Sequence, residues 1–336
     1  MAMAVEVGIR KRTLYGDPRL FFTPGRVLVM TDLREKRRLI EAGHLRAWRR
    51  QGRGSFHLEN IHALHPLLHI SLRMAGLLRR GQLNALDPRV RAVRFEFPGL
   101  PEAFDGFRIL HLSDLHADAL EGFGDAVSAR LRGVEADLCV LTGDYRFEVE
   151  GSCDAVYPQM ERILGCVRAP HGILGVLGNH DFAEKVSHLE NMGAKILMNE
   201  CVEIRRGETS LWVAGVDDPH YYGCDDLARA VSGIPAGAFT ILLAHSPELY
   251  AEAAARGINL YLCGHTHAGQ ICFPGGTPIL VNTNCPRRLA RGAWRHRNLQ
   301  GYTSAGVGSS FLPVRFNCPP EIVLVELRKQ RLQLES

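Results

Sequence analysis

Ile173-Leu174-Gly175-Val176-Leu177-Gly178-Asn179-His180-Asp181 is the stretch whose reading decides the fold. Its first five residues form a continuous apolar run ending in a polar turn, the signature of a buried strand. The turn itself carries chemistry. Asn179 offers a neutral amide oxygen as a metal ligand, His180 can meet a substrate, and Asp181 can accept a proton from the far ring nitrogen of His180. A carboxylate in that position fixes the tautomer of the imidazole and raises its basicity.

Four further segments repeat the design of an apolar run followed by polar ligand types. Residues 108–112 lead to Asp114-Leu115-His116, residues 138–141 to Gly143-Asp144, residues 240–244 to His245, and residues 260–263 to Gly264-His265-Thr266-His267. In an extended tip residues i and i+2 point the same way, so Asp114 and His116 can share one metal. Asp144 can bridge two cations with its two oxygens, and the imidazoles of His265 and His267 can address two neighbouring metals. Strands ending at a common rim would gather these groups around one small volume, as a pair of divalent ions requires.

The first three runs are joined by 20 to 30 residues, which suits helical crossovers and predicts an α/β fold. Later runs, at residues 195–198, 202–204, 211–214, 302–304 and 322–327, are more closely spaced, so part of the sheet is expected to be antiparallel. At 336 residues and 46% apolar content the chain can bury a sizeable core. Nine cysteines occur without a C-x-x-C pair, which fits buried free thiols in a reducing cytoplasm rather than a disulfide framework.

Charge is unevenly spread. Residues 1–95 hold 19 Lys and Arg against 7 Asp and Glu, a net +12, leaving −8 for residues 96–336. We therefore divide the chain into a basic N-terminal extension, residues 1–97, with short helices or strands over residues 1–60, and a catalytic domain, residues 98–336, with Pro98 and Pro101 at the boundary. Within the extension, residues 66–80 read as an amphipathic helix with His69, Arg73, Gly76 and Arg80 on one face. That helix either packs against the domain or dips into an anionic membrane surface. No segment reads as a signal peptide, and the apolar stretch at residues 61–78 carries His62, His65, His69 and Arg73, which excludes a bilayer span.

In order and type the five segments resemble the motifs of the calcineurin-like metallophosphoesterases, from about Gly106 onward. Gly215-Val216-Asp217-Asp218-Pro219, the run Ala268-Gly269-Gln270, and the closing residues 306–308, 312–316 and 319–321 are similar to a bacterial subgroup of cell-envelope phosphodiesterases. The resemblance implies a four-layer α/β/β/α sandwich of two mixed sheets. It also implies one metal held by Asp114, His116 and His267, another by Asn179, His245 and His265, and Asp144 between them. His180 would contact the phosphoryl group and assist the leaving group, with Asp181 behind it. The implied reaction is binuclear metal-dependent hydrolysis of a phosphodiester or pyrophosphate, a metal-bridging hydroxide attacking phosphorus.

An all nitrogen and oxygen ligand set favours Mn²⁺, Fe²⁺ or Zn²⁺ and would also accept Mg²⁺, without choosing among them; we take Mn²⁺. Arg146, Arg288 and Arg315 are candidate substrate contacts, because the planar guanidinium pairs with two phosphoryl oxygens. The basic extension suggests a lipid-linked substrate such as UDP-diacylglucosamine and a cytoplasmic protein peripheral on the inner face of the membrane. A soluble nucleotide phosphodiesterase and a non-catalytic scaffold of the same fold are the alternatives. Nucleic acid is not expected, since the catalytic part is net acidic and lacks an aromatic-rich basic stripe.

Overall fold

The computed structural model describes residues 33–51, 64–148 and 152–331. Among them, twelve strands form two six-stranded mixed sheets. The first runs in the order β1 (Arg89–Phe97), β12 (Glu321–Lys329), β2 (Arg108–Leu112), β3 (Leu138–Thr142), β4 (Ile173–Val176), β5 (Ala194–Ile196). The second runs β10 (Gly292–His296), β11 (Leu299–Thr303), β9 (Leu260–Cys263), β8 (Thr240–Leu243), β7 (Thr209–Gly215), β6 (Glu200–Arg206). In the first sheet β2, β3, β4 and β5 are parallel; in the second β7, β8, β9 and β11 are.

Alternation along each strand divides its side chains between two cores. Ile109, Val140 and Val176 meet Val213, Ile241, Leu243 and Leu262 between the sheets. Leu110, Leu112, Cys139 and Leu141 face the other way, onto Phe123, Val127 and Leu131 of α4 (Phe123–Leu131) and Met160 and Ile163 of α5 (Val156–Leu164). Ala214, Leu242, Tyr261 and Cys263 pack with Leu227 and Ala230 of α7 (Leu227–Ala230) and Ala253 of α8 (Tyr250–Ala255). Both faces of each central strand are buried, which is why those strands read as unbroken apolar runs. The result is the expected four-layer α/β/β/α sandwich. All nine cysteines are free.

The extension departs from expectation in three places. First, residues 66–80 are two helices, α2 (Leu64–Met74) and α3 (Leu78–Ala85). Gly76 at φ +68° ends α2, with Leu77 N–H donating to Leu72 O and Gly76 N–H to Arg73 O, a Schellman ending that the glycine permits. Second, the proposed boundary after residue 97 falls inside the first sheet, because β1 pairs in parallel with β12 from Arg89 to Phe97. Third, residues 33–51 form one helix of 19 residues, α1 (Leu33–Gln51), in place of short elements. Its buried face carries Arg37 and Glu41, so apolar periodicity could not announce it. The remainder of residues 1–60 lies outside the described residues.

Leu243 is wholly buried between the sheets, whereas Met74 on α2 is 84% exposed. Leu243→Ala is expected to cost about 2–5 kcal/mol in urea unfolding, and Met74→Ser less than about 0.5 kcal/mol.

Candidate metal centre

The strands that carry ligands run parallel within each sheet, so their carboxyl ends open on the same rim. β2, β3 and β4 deliver Asp114, His116, Asp144 and Asn179 from the first sheet; β8 and β9 deliver His245, His265 and His267 from the second. All seven are buried. Two groups of ligand atoms result, each within 4.8 Å of one another: Asp114, His116 and His267, and Asp144, His245 and His265. Asp144 Oδ2 lies 3.7 Å from His116 Nε2 and 3.3 Å from His245 Nε2, between the two groups. Asn179 Oδ1 lies 2.9 Å from His245 Nε2 and 3.0 Å from His265 Nδ1.

Reaching this geometry bends the backbone into the left-handed region at Asp114, His116, Asp144, His265 and His267, with φ between 42° and 70°. Asp and His tolerate this region better than most side chains but still at a cost. The turns are crowded as well. A Cβ on Gly264 would strike Ser113 Oγ and Asp114 Oδ2, and one on Gly178 would strike the Asp144 carboxylate. Only glycine lets the backbone come this close to the ligands.

Backbone carbonyls hold the far side of the rings. His116 Nδ1 donates to Arg146 O at 2.7 Å, and His245 Nδ1 donates to Thr142 O at 2.7 Å. Each Nε2 is thereby left to face inward. His116 Nε2 lies 3.1 Å from His267 Nε2, and His245 Nε2 lies 3.1 Å from His265 Nδ1. Nitrogen lone pairs and carboxylates this close suit cations at their centre, and carbonyl-anchored imidazole is the usual arrangement of a metal ligand. The residues fit two divalent ions.

The proton-bound state tells the same story. Burial pushes the Asp114 carboxyl up to about 6, reinforced by Asp144. Burial also lowers His116 to about 3 and His265 and His267 well below the imidazole range, so those rings are neutral. Asp144 is held well below the usual carboxylate range because His245 and His180 outweigh its burial, and His245 is correspondingly held protonated by Asp144.

His180 and Asp181 are not paired as the sequence suggested. His180 Nδ1 donates to Phe147 O at 2.7 Å, and its ring meets that of His116 edge-on at 4.9 Å. The Asp181 carboxylate instead accepts from the backbone N–H groups of Asp144, Tyr145 and Gly178 at 2.7–2.9 Å. Three backbone donors with no other acceptor outcompete a ring that already has a carbonyl. Asp181 thus shapes the turns that present Asp144 and Asn179.

The three arginines are also dispersed. Arg315 is fully buried behind His267, with Nη2 3.2 Å from His267 Nδ1 and donating to Ala305 O and Gly308 O. That commits it to bracing the tail loop rather than to a substrate. Arg146 is buried with its guanidinium 5.7 Å from the Phe182 ring centroid, and Arg288 is exposed on a short 3₁₀ turn.

Two neighbours escaped the sequence reading. His220, just after Asp217-Asp218-Pro219, has its ring 4.2 Å from that of His265 and donates from Nδ1 to Glu248 at 2.6 Å. Its place beside a recognised motif was the available signal. Arg37 of α1 reaches the loop at Gly178 and Asp181 from more than a hundred residues away, and nothing local marked it.

The family model for calcineurin-like phosphoesterases matches residues 107–269, which contain all seven ligand types. The chain belongs to the calcineurin-like phosphoesterase family. Among relatives, this phosphoesterase is 29% identical to the uncharacterized metallophosphoesterase YkuE of Bacillus subtilis over 68% of this chain and 82% of that protein. It is 35% identical to a transmembrane protein with metallophosphoesterase domain of Bos taurus, over 70% of this chain and 56% of that one. It is 28% identical to phosphodiesterase YaeI of Escherichia coli, over 66% and 82%. The protein is a phosphoric ester hydrolase.

Cation binding must displace the proton on His245, and below about pH 6 also the one on Asp114. Apparent Mn²⁺ affinity is therefore expected to fall as pH drops. The dependence should be about tenfold per pH unit above pH 6, rising toward a hundredfold below it. Calorimetry in buffers of different ionisation enthalpy counts the protons released.

Proposed function

We propose that the phosphoesterase hydrolyses a phosphodiester or pyrophosphate at a two-metal centre, on a lipid-linked substrate presented at an anionic membrane surface. The observation that carries the hydrolytic part is the convergence of seven buried ligands from two sheets into two adjacent groups sharing Asp144. Two divalent cations, Mn²⁺ being our choice, would neutralise the phosphoryl oxygens and make a water nucleophilic at neutral pH.

The chain's own residues divide the remaining work. Asp144 stays ionised and stands between the two groups. Arg146 O and Thr142 O keep His116 and His245 in the tautomer that presents Nε2. His265 Nε2 is buried and has no hydrogen-bond partner in the protein, an arrangement that costs about 1–3 kcal/mol. Water adds to phosphorus as the ester bond opens, and the departing oxygen takes a proton. We assign that proton to His180 Nε2; the anchoring of its ring through Nδ1 on Phe147 O supports this reading.

The lipid part rests on α2 and α3. Leu67, Ile70 and Met74 of α2 follow a three, four spacing and remain exposed, 61%, 54% and 84% respectively, and Leu77, just past the helix break at Gly76, is 39% exposed. An apolar stripe left uncovered on a helix that also carries Arg73 suits the interface of an anionic bilayer. α3 links this stripe to the metal centre: Gly81 O accepts from Arg315 N–H, and Phe316 pairs with Ile271, which follows Gln270. Phe273, Ile279 and Leu280 extend the exposed apolar surface beyond that pair. Acyl chains lying there would place a pyrophosphate of the UDP-diacylglucosamine type near the ligands. No helix among the described residues is long and apolar enough to cross a membrane.

His180→Gln is expected to lower kcat about a hundredfold or more on esters with alkyl leaving groups. On p-nitrophenyl esters, whose leaving oxygen needs no proton, the loss should be much smaller. Metal-loaded wild type that turns over none of a panel of diesters and pyrophosphates would overturn the hydrolytic reading. For the membrane part, Leu67, Ile70 and Met74 changed together to Ser should lose binding to phosphatidylglycerol vesicles while keeping turnover of a soluble diester. Unchanged vesicle binding would refute it.

A further inference from the structure

Arg37 lies in the segment that the sequence sets apart from the catalytic part, yet its side chain is 1% exposed and ends beside the metal centre. Its guanidinium uses all three nitrogens. Nε donates to Glu41 Oε1 at 2.8 Å, Nη1 pairs with Asp217 Oδ1 at 2.5 Å, and Nη2 donates to the carbonyls of Gly178 and Asp181, both at 3.1 Å. The plane of the group covers the Tyr222 ring, with Cζ 3.6 Å from its centroid. Glu41, one turn along α1, accepts from Ala183 N–H at 2.9 Å.

These partners belong to two different loops. Gly178, Asp181 and Ala183 follow β4 of the first sheet, and they enclose Asn179 and His180. Asp217 follows β7 of the second sheet, and its carboxylate also accepts from Asp218 N–H. A single side chain therefore ties the Asn179–His180 turn to the opposite sheet across the rim. A lysine ends in a single nitrogen whose three donors radiate from one point; the planar fork of a guanidinium serves all four acceptors from three separate nitrogens.

We infer that Arg37 is a positioning residue of the hydrolase, supplied by the N-terminal segment, which holds the turn carrying Asn179 and His180 against Asp217 and so sets the second metal group and the proton donor. It touches neither substrate nor metal and acts through the carbonyls of Gly178 and Asp181. α1 is accordingly part of the catalytic unit and not a detachable extension. The inference rests on the two-metal reading above.

The test uses the full chain carrying Arg37→Ala or Arg37→Lys, with Arg34→Ala as control, since Arg34 sits on the same helix and makes a part-exposed ion pair with Glu190 on α6 (Val186–Asn191). Thermal melting, Mn²⁺ titration by calorimetry, and kcat and KM on bis(p-nitrophenyl) phosphate are measured for each. Arg37→Ala should lower kcat roughly tenfold to a hundredfold with little change in KM, as expected for a displaced catalytic group, and should weaken one of two Mn²⁺ sites. Guanidinium ion at millimolar concentration should restore part of both in Arg37→Ala. Arg37→Lys should stay as impaired, and Arg34→Ala should match wild type.

Wild-type kcat and Mn²⁺ affinity in Arg37→Ala would overturn the inference. So would a loss confined to melting temperature, with the folded fraction fully active. If Arg37→Ala does not fold, Arg37→Lys decides: a folded lysine variant with wild-type turnover overturns the inference, and one with depressed kcat and metal affinity supports it. A wild-type protein that binds no Mn²⁺ would instead count against the two-metal reading.

Discussion

Seven ligand side chains held dry at the meeting line of two sheets set the terms for everything around them. Two carboxylates and four imidazoles with ring nitrogens 3.1 Å apart repel one another in a medium of low dielectric. Protons meet part of this, one held on His245 by Asp144 and another favoured on the buried Asp114 carboxyl. Cations meet it better, because they replace a proton balance with direct neutralisation. The arrangement therefore carries its own demand for divalent ions, independent of any kinship.

That demand fixes the backbone. Five ligand positions adopt left-handed geometry, which costs roughly 1–2 kcal/mol for an ordinary residue. The strain is tolerable because the turns brace one another. Asp114 N–H donates to Gly143 O, His116 N–H to Asp144 O, His180 N–H to the Asp144 carboxylate, and His265 N–H to the Asp114 carboxylate. Each ligand is thus also an acceptor or anchor for the next loop. Asp181 and Arg315 extend the same logic outward: both are buried, and both hold turns through hydrogen bonds to backbone, Arg315 adding contacts to Ser309 and His267.

What could be read from the chain beforehand follows from this division. Asp114, His116, Asp144, Asn179, His245, His265 and His267 were legible because each ends an apolar strand, and parallel strands must share a rim. The four-layer sandwich was legible with them, since unbroken apolar runs imply sheets covered on both faces. Roles that depend on competition between acceptors were not. Asp181 beside His180 looks like a carboxylate–imidazole pair, but the ring was taken by Phe147 O and the carboxylate by three N–H groups. β10 was hidden for a simpler reason: Gly292-Ala293-Trp294-Arg295-His296 is an edge strand whose one buried side chain is Trp294, so it shows no apolar run.

α1 was the hardest element to see, and the reason is physical. Most helices dock through apolar stripes, which leave a 3.6-residue period in the sequence. This one docks through Arg37 and Glu41, spaced one turn apart among other arginines and glutamates, so its buried charges look like its solvated ones. A buried ion pair stabilises little overall, because the cost of removing both charges from water nearly cancels their attraction. What it offers is direction: the guanidinium fits only where Asp217, Glu41 and two carbonyls stand at hydrogen-bonding distance. An apolar stripe would tolerate sliding along the groove, whereas this contact admits one register. For a helix seated against the turn that presents Asn179 and His180, registration matters more than adhesion.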